Sequence, residues 1–203
     1  MKRSLIAFLV TVFTLTLVSC NPSPREQFDE AIANGELSVA LKLLPQIERN
    51  EGFYHCCTML IDDYLAIDHI DKAIYVFDKV SRHYPMHRIR SCTDSVASYT
   101  KENAQKIYKK LIVSNRFDEA WTYHPLSYDT EDYPGNAPDY FAYIVDVITF
   151  LCSNNRKAEA QIFLNTHINW FSKNVDNHEW GKEYPQFAKN KMHSQLHDIL
   201  MAF

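Results

Sequence analysis

The sequence predicts an all-α protein, and three observations favour that class. From Arg25 onward, apolar residues recur at steps of three and four, the spacing of one helix face, and no convincing run alternates apolar with polar residues. The 203 residues include only four glycines, all far apart, whereas a β-sandwich uses glycine in many of its hairpin turns. Apolar residues make up 46% of the chain, which is enough to bury a core and argues against disorder.

Residues 1–19 are predicted to be a signal peptide. A short cationic start precedes an apolar stretch, residues 4–18, which as a helix would span about 22 Å, less than the roughly 30 Å of a membrane core. The stretch ends in Leu17-Val18-Ser19-Cys20, which resembles the lipobox of bacterial lipoproteins. The resemblance implies that Cys20 is acylated and becomes the new N-terminus. The alternative is an ordinary signal peptide that Cys20 merely follows.

The segment after the cleavage site, residues 20–25, is expected to be a lipid-anchored tether. Pro22 and Pro24 are expected to keep it out of any helix. Asn21 stands where enterobacterial lipoproteins retained at the inner membrane often carry Asp, so the resemblance implies the outer membrane, facing periplasm or cell surface. The mature chain has a net charge of −6 and no long basic run, so no nucleic-acid interface is expected.

Residues 26–203 contain a recurring pattern. Four segments place a polar residue or a glycine five positions before an alanine. The pairs are Gly35 and Ala40, Asp68 and Ala73, Asn115 and Ala120, and Asn155 and Ala160. In each segment the pattern predicts that one helix ends, the chain turns tightly, and a second helix begins with a small residue that allows close approach.

The second segment is the most regular, and its residues carry a family resemblance. Its first helix has a Leu and a Tyr one turn apart, and its second has a small residue and an aromatic residue on one stripe before a closing proline. The residues are Leu60, Tyr64, Ile70, Ala73, Phe77 and Pro85. This order resembles the tetratricopeptide repeat (TPR). Three positions depart from the family: Cys57 replaces a common Trp, Ile61 a small residue, and Val80 an Ala.

The other segments are less regular, because Pro45 should kink the second helix of the first and Pro125 interrupts the third. The alanines are 33, 47 and 40 residues apart, against about 34 in a regular array, which indicates insertions around residues 86–100 and 125–138. The TPR resemblance implies an α-α superhelix of about four irregular TPR-like helical hairpins. An apolar face after Pro185 predicts a C-terminal capping helix. An unrelated helical bundle is the alternative.

Cysteines and histidines offer the first candidates for chemistry. Cys56, Cys57, Cys92 and Cys152 would lie in an oxidising compartment, where disulfides are permitted. The repeat phase does not place Cys57 beside Cys92, so buried free thiols are favoured over a bridge. His193 and His197 are four residues apart on the last predicted helix, but no third or fourth zinc ligand is indicated. We therefore expect no metal site.

No catalytic pattern accompanies these residues. The adjacent carboxylates Asp62-Asp63 and Glu131-Asp132 would diverge by about 100° on a helix, so neither pair is an acid/base couple. The chain has no G-x-S-x-G motif, no H-E-x-x-H motif and no glycine-rich phosphate loop. We expect a protein that is not an enzyme and needs no cofactor.

The TPR resemblance implies a binding function. In that family the first helices of successive hairpins line a concave groove that accepts a peptide or a segment of a partner protein. Carried over by position, the candidate partner-binding residues are His55, Thr58, Asp62, Glu102, Gln105, Lys109 and Thr149. The partner is expected to be a protein or peptide whose identity the sequence does not indicate, and the membrane is contacted through the lipid on Cys20.

A Tyr-rich insertion, residues 123–143, supports a second hypothesis of a glycan-binding lipoprotein. Tyrosine combines apolar area with a polar tip, which suits stacking against sugars as well as protein interfaces. Tyr128 and Tyr133 are the candidates for such contacts. The alternative for this insertion is that its rings pack a long loop onto the protein's own helices.

Overall fold

The computed structural model describes residues 22–81, 94–124, 137–175 and 186–202, and every regular element in these ranges is helical. The predicted all-α class is therefore confirmed. The helices are α1 (Pro24–Ala33), α2 (Leu37–Leu43), α3 (Glu51–Ala66), α4 (Ile70–Ser81), α5 (Asp94–Val113), α6 (Phe117–Thr122), α7 (Ala137–Ser153), α8 (Lys157–Val175) and α9 (Gln186–Ala202). The predicted signal peptide, Cys20, Pro85, Cys92 and most of both predicted insertions lie outside the described residues.

Helix α1 begins inside the segment that was expected to be a tether. Pro24 is its first residue, which a helix tolerates because that position needs no amide donor. Ser23 caps the helix: its hydroxyl accepts a hydrogen bond from the Glu26 amide at 3.2 Å, and its own amide donates to the Glu26 carboxylate at 2.7 Å. The expectation that both prolines stay outside a helix is therefore wrong for Pro24.

The four predicted turns are all present. Gly35, Asp68, Asn115 and Asn155 adopt left-handed backbone conformations, with φ between 60° and 72°. Glycine does so without strain, and Asn and Asp are the other residues that adopt it most readily. The alanine five positions later is fully buried in every case. At Asn155 the helix closes with paired bonds, since the Asn155 amide donates to the Cys152 carbonyl and the Arg156 amide to the Leu151 carbonyl.

The chain divides into two compact units, of which the first extends to Ile67. Within it α1 packs on α2, and α2 packs on α3. Tyr64 donates a hydrogen bond of 3.1 Å to the Leu37 carbonyl, which joins α3 to the start of α2. Pro45 lies in a short 3₁₀ helix (Leu44–Gln46) directly after α2, so the proline follows the end of that helix instead of kinking it.

The second unit begins at Asp68. Helix α4 packs on α5, α5 on α6, and α7 on α8, while α7 also contacts α5 and α6. Side chains at the turns join successive helices: Arg116, just before α6, reaches Asp71 on α4 at 2.6 Å, and Arg156, just before α8, bonds the side chain of Asn115. The unit's core includes Ala73, Val76, Phe77, Ala104, Ile107, Leu111, Ala120, Tyr143, Ile144, Val147, Ile148, Leu151, Ala160 and Leu164.

Helix α9 packs against α7 and α8. Leu196 and Leu200 are buried, as its predicted apolar face requires, and Ile199 is half-buried. The other members of that predicted face, Phe187, Met192 and Phe203, have side chains outside the described part. None of the helices in the described ranges combines the length and the apolar character that a membrane span requires.

Candidate functional site

A groove with a volume of about 640 Å³ lies between α5 and α7 in the second unit. Its lining residues recur at steps of three and four on both helices, so each wall is a stripe of about two turns, roughly 12 Å long. The wall from α5 consists of Gln105, Tyr108, Lys109, Ile112 and Val113, the wall from α7 of Ala142, Asp146, Thr149 and Phe150, and His124 completes the lining after α6. We call this surface the α5–α7 groove.

Core packing on the neighbouring faces fixes the two walls. On α5, Ile107 and Leu111 are fully buried, next in sequence to the groove residues Tyr108 and Ile112. On α7, Val147 and Leu151 are buried in the same way. Tyr143 then ties α7 to the start of α6, because its hydroxyl donates a hydrogen bond of 2.9 Å to the Phe117 carbonyl. Buried core residues and this hydrogen bond therefore hold the two walls of the groove in place.

A hydrogen bond crosses the groove from one wall to the other. The Tyr108 hydroxyl donates to Oδ2 of Asp146 over 2.8 Å, and Tyr108 is buried. Burial, together with the nearby charge of Asp146, raises the pKa of Tyr108, so its hydroxyl stays protonated and remains a donor. Among the described residues, Asp146 has no other hydrogen bond and no ion pair, although a carboxylate offers about four acceptor positions.

His124 packs beside this pair. Its ring meets that of Tyr108 edge-on, with centroids 5.0 Å apart, and it is only 3% exposed. Burial lowers the pKa of His124, while the charge of Asp146 opposes that effect, so the neutral imidazole is favoured. Its Nδ1 atom is buried and has no hydrogen-bond partner in the described part of the chain. Since buried polar atoms are nearly always bonded, this nitrogen is a candidate acceptor for a group bound in the groove.

Three predicted partner-binding residues, Gln105, Lys109 and Thr149, line the α5–α7 groove together. Glu102 is exposed on α5, about one turn before Gln105, and is not part of the lining. The remaining three, His55, Thr58 and Asp62, lie on α3 in the first unit and belong to no part of this groove. His55 and Asp62 are exposed there, and Thr58 is half-buried.

Sequence reasoning missed the inner residues of the groove. The helical step from Gln105 to Tyr108 and from Asp146 to Thr149 could have found Tyr108 and Asp146, since each lies three residues from a predicted position. No comparable sequence pattern indicated His124. It follows the six-residue helix α6, which is too short to show a periodic pattern.

Two rings of the Tyr-rich insertion are packed inside the second unit. Tyr123 is buried, bonds Asp78 at 3.4 Å and meets the Phe77 ring edge-on, with centroids 5.8 Å apart. Tyr143 is buried as described above, so neither ring offers a face for a sugar. Tyr128 and Tyr133, the candidates for glycan contacts, lie outside the described residues.

The other candidates for chemistry are scattered. Cys56, Cys57 and Cys152 are buried, and none of them forms a disulfide within the described part of the chain. His197 is exposed on α9, and the His193 side chain is outside the described part. Within the described ranges, no three side chains of the metal-binding types lie together. A second, smaller cavity of about 360 Å³ contains His167, whose ring stacks on Phe163 at 4.0 Å between centroids.

Comparison of the chain with models of protein families, with curated proteins and with solved structures finds no match.

Proposed function

We propose that this chain is a lipid-anchored cell-envelope protein that binds a segment of a partner protein in the α5–α7 groove and carries out no catalysis. The observation that carries the proposal is the common location of Gln105, Lys109 and Thr149 around one groove. The TPR resemblance, carried over by repeat position, implies these three as groove-facing residues of successive first helices. Their meeting at a cavity supports the idea that the groove is the binding surface.

The architecture that accompanies this function is an α-α superhelix of about four irregular TPR-like hairpins, with α9 as the C-terminal cap. The left-handed turn residues and the buried alanines five positions later support it, because they repeat one helix-turn-helix connection. In such an array each hairpin buries its apolar face against its neighbours, and the first helices form one continuous side.

The chemistry of the groove suits a peptide segment. Ile112, Val113 and Phe150 supply apolar contact area, while Gln105 and Thr149 supply hydrogen-bonding groups. A cavity of this size, mostly apolar with a few polar groups, is typical of ligand sites, whose volumes run from about 300 to 1,000 Å³. Two turns of helix on each wall match about four residues of extended chain, at roughly 3.3 Å per residue.

The lipid anchor is supported by Leu17-Val18-Ser19-Cys20 after an apolar stretch. Acyl chains on Cys20 would hold the protein stably at the outer membrane, because each buried CH₂ contributes about 0.8 kcal/mol. In cells fed an alkyne-tagged fatty acid, we expect the full chain to be labelled and Cys20→Ser to be unlabelled. Cys152→Ser is the control and should be labelled like the natural chain. Labelling of Cys20→Ser equal to that of the natural chain would contradict acylation at Cys20.

Site-specific photocrosslinking in cells tests the groove. A photoreactive phenylalanine analogue at Gln105 should give an adduct with a partner protein, because Gln105 is exposed at the groove. The same analogue at Met201, which is 64% exposed on α9, is the control and should give at least tenfold less of that adduct. Thr149→Trp, which places a large side chain on the α7 wall of the groove, should weaken the Gln105 adduct. Equal adducts at Gln105 and Met201, or no adduct at Gln105, would contradict binding in the groove.

A further inference from the structure

We propose that the α5–α7 groove takes an arginine side chain of the partner segment, whose guanidinium group binds the carboxylate of Asp146 and donates a hydrogen bond to Nδ1 of His124. This inference rests on the proposed function, since it names the chemical group that the groove recognises. The occupant of the groove is a cationic peptide side chain.

The charge of Asp146 provides the first argument. The buried Tyr108 donates one hydrogen bond of 2.8 Å to Oδ2 of Asp146, which is otherwise exposed. No cation among the described residues pairs with it. A carboxylate fixed in this way, with free acceptor positions in a groove, is complementary to a planar group that donates two parallel hydrogen bonds.

His124 provides the second argument. It lines the same groove, packs edge-on against the tyrosine that holds Asp146, and contains a buried Nδ1 without a partner in the described part of the chain. A neutral imidazole with its proton on Nε2 is an acceptor at Nδ1 and does not repel a cation. Occupancy by a donor would give this nitrogen the partner that a buried polar atom normally has.

Guanidinium fits this pair of acceptors better than an ammonium group. It has five N–H donors in a rigid plane, so it can serve a carboxylate and a nitrogen at the same time, and its flat face packs on aromatic rings. Phe150 and Ile112 on the two walls offer apolar surface for the arginine stem. Lys109 is exposed, so its ammonium group can stay in water while the groove is occupied.

The test uses the full chain, purified with its anchor in detergent micelles and labelled with ¹⁵N in histidine. The probes are N-acetyl-arginine amide, its lysine counterpart and its citrulline counterpart, which keeps the shape of arginine but is uncharged. Titration by NMR should show the arginine probe binding at least tenfold more tightly than either of the others. The His124 Nδ1 resonance should shift with occupancy. Equal binding of citrulline or lysine, or an Nδ1 resonance that does not move, would overturn the inference.

Single-residue variants show which side chains bind the arginine probe. Asp146→Asn should weaken binding of the arginine probe at least tenfold, and His124→Phe about threefold. Asp198→Asn, an exposed carboxylate on α9, is the matched control and should bind as the natural chain does. Thermal unfolding of each variant shows whether it is folded, and unchanged binding by folded Asp146→Asn would refute the proposal. A Gln105 adduct in cells without arginine binding would refute this inference alone, whereas loss of the adduct refutes the proposed function.

Discussion

The Tyr143 hydroxyl donates a hydrogen bond of 2.9 Å to the main-chain carbonyl of Phe117. Tyr64 makes the same kind of bond, at 3.1 Å, to the carbonyl of Leu37. In both cases the acceptor is the first residue of the preceding helix and lies two positions after a left-handed turn residue. A buried tyrosine thus ties each of these helices to the start of the helix before it, just after the left-handed turn.

Removing this hydroxyl should destabilise the fold. Tyr143→Phe keeps the ring but leaves the Phe117 carbonyl without this donor, so we expect the free energy of unfolding to fall by about 1–2 kcal/mol. Urea denaturation followed by circular dichroism measures the loss. Tyr75→Phe is the matched control, because Tyr75 is 47% exposed, and it should stay within about 0.5 kcal/mol of the natural chain. Equal losses in both variants would contradict a role for the bond.

The buried alanines predict a second effect. Ala160 is fully buried near the start of α8, where a larger side chain would force the hairpin apart. Ala160→Leu should therefore lower the free energy of unfolding by about 1–3 kcal/mol. Ala158→Leu, on the same helix turn but exposed, should have an effect below about 0.5 kcal/mol. If both substitutions lower the free energy of unfolding equally, the small residue at position 160 is not needed for close helix packing.

The left-handed turns predict a third effect on stability. Asn155 has φ of 60° and is exposed, so its main role is its backbone conformation. Asn155→Ala should cost about 1 kcal/mol, since an alanine tolerates this region poorly, whereas Asn155→Gly should be neutral or slightly stabilising. Chemical denaturation of the two variants side by side gives the answer. A glycine variant less stable than the alanine variant would show that the asparagine side chain matters more than the backbone angle.

Two histidines, the buried His124 and the half-buried His167, predict a loss of stability in mild acid. Burial lowers the pKa of both His124 and His167 in the folded chain, while nearby Asp146 and Asp118 respectively oppose the effect. Below the ordinary histidine pKa of about 6.5, the unfolded chain takes up protons that the folded chain resists, so unfolding becomes easier. The loss begins as pH falls through about 6.5 and levels off below the lowered folded pKa values.

Denaturation at pH 7.5 and at pH 5.5 measures this effect. Between the two pH values, the free energy of unfolding of His124→Phe should fall less than that of the natural chain, because one of the two histidines with a lowered pKa is gone. His197→Gln changes an exposed histidine on α9 and should keep the full drop. An unchanged drop in His124→Phe would mean that His124 is protonated as easily in the folded chain as in the unfolded one.

The sequence predicted the turns well and the groove only in part. Turns could be predicted because a left-handed residue restricts the choice to Gly, Asn or Asp, and close helix approach requires a small residue five positions later. Gln105, Lys109 and Thr149 could be named because the TPR resemblance implies which helix face lines a groove, and helical spacing gives the residues on that face. These are local constraints, visible in a short window of sequence.

The inner groove depends on contacts between distant positions, which no local pattern records. Tyr108 and Asp146 are 38 residues apart, and their hydrogen bond requires α5 and α7 to lie side by side. His124 reaches Tyr108 only because α6 ends after six residues, at Thr122. Pro24 was misplaced for a different reason, since proline excludes a helix interior but not its first turn.

Helix α9 packs on α7 and α8, and α7 forms one wall of the groove on another side. A chain that lacks residues 186–202 would therefore keep every groove residue but lose a helix that packs on the α7 wall. Changes in α9 would in this way reach the groove through α7, although no described residue of α9 lines it.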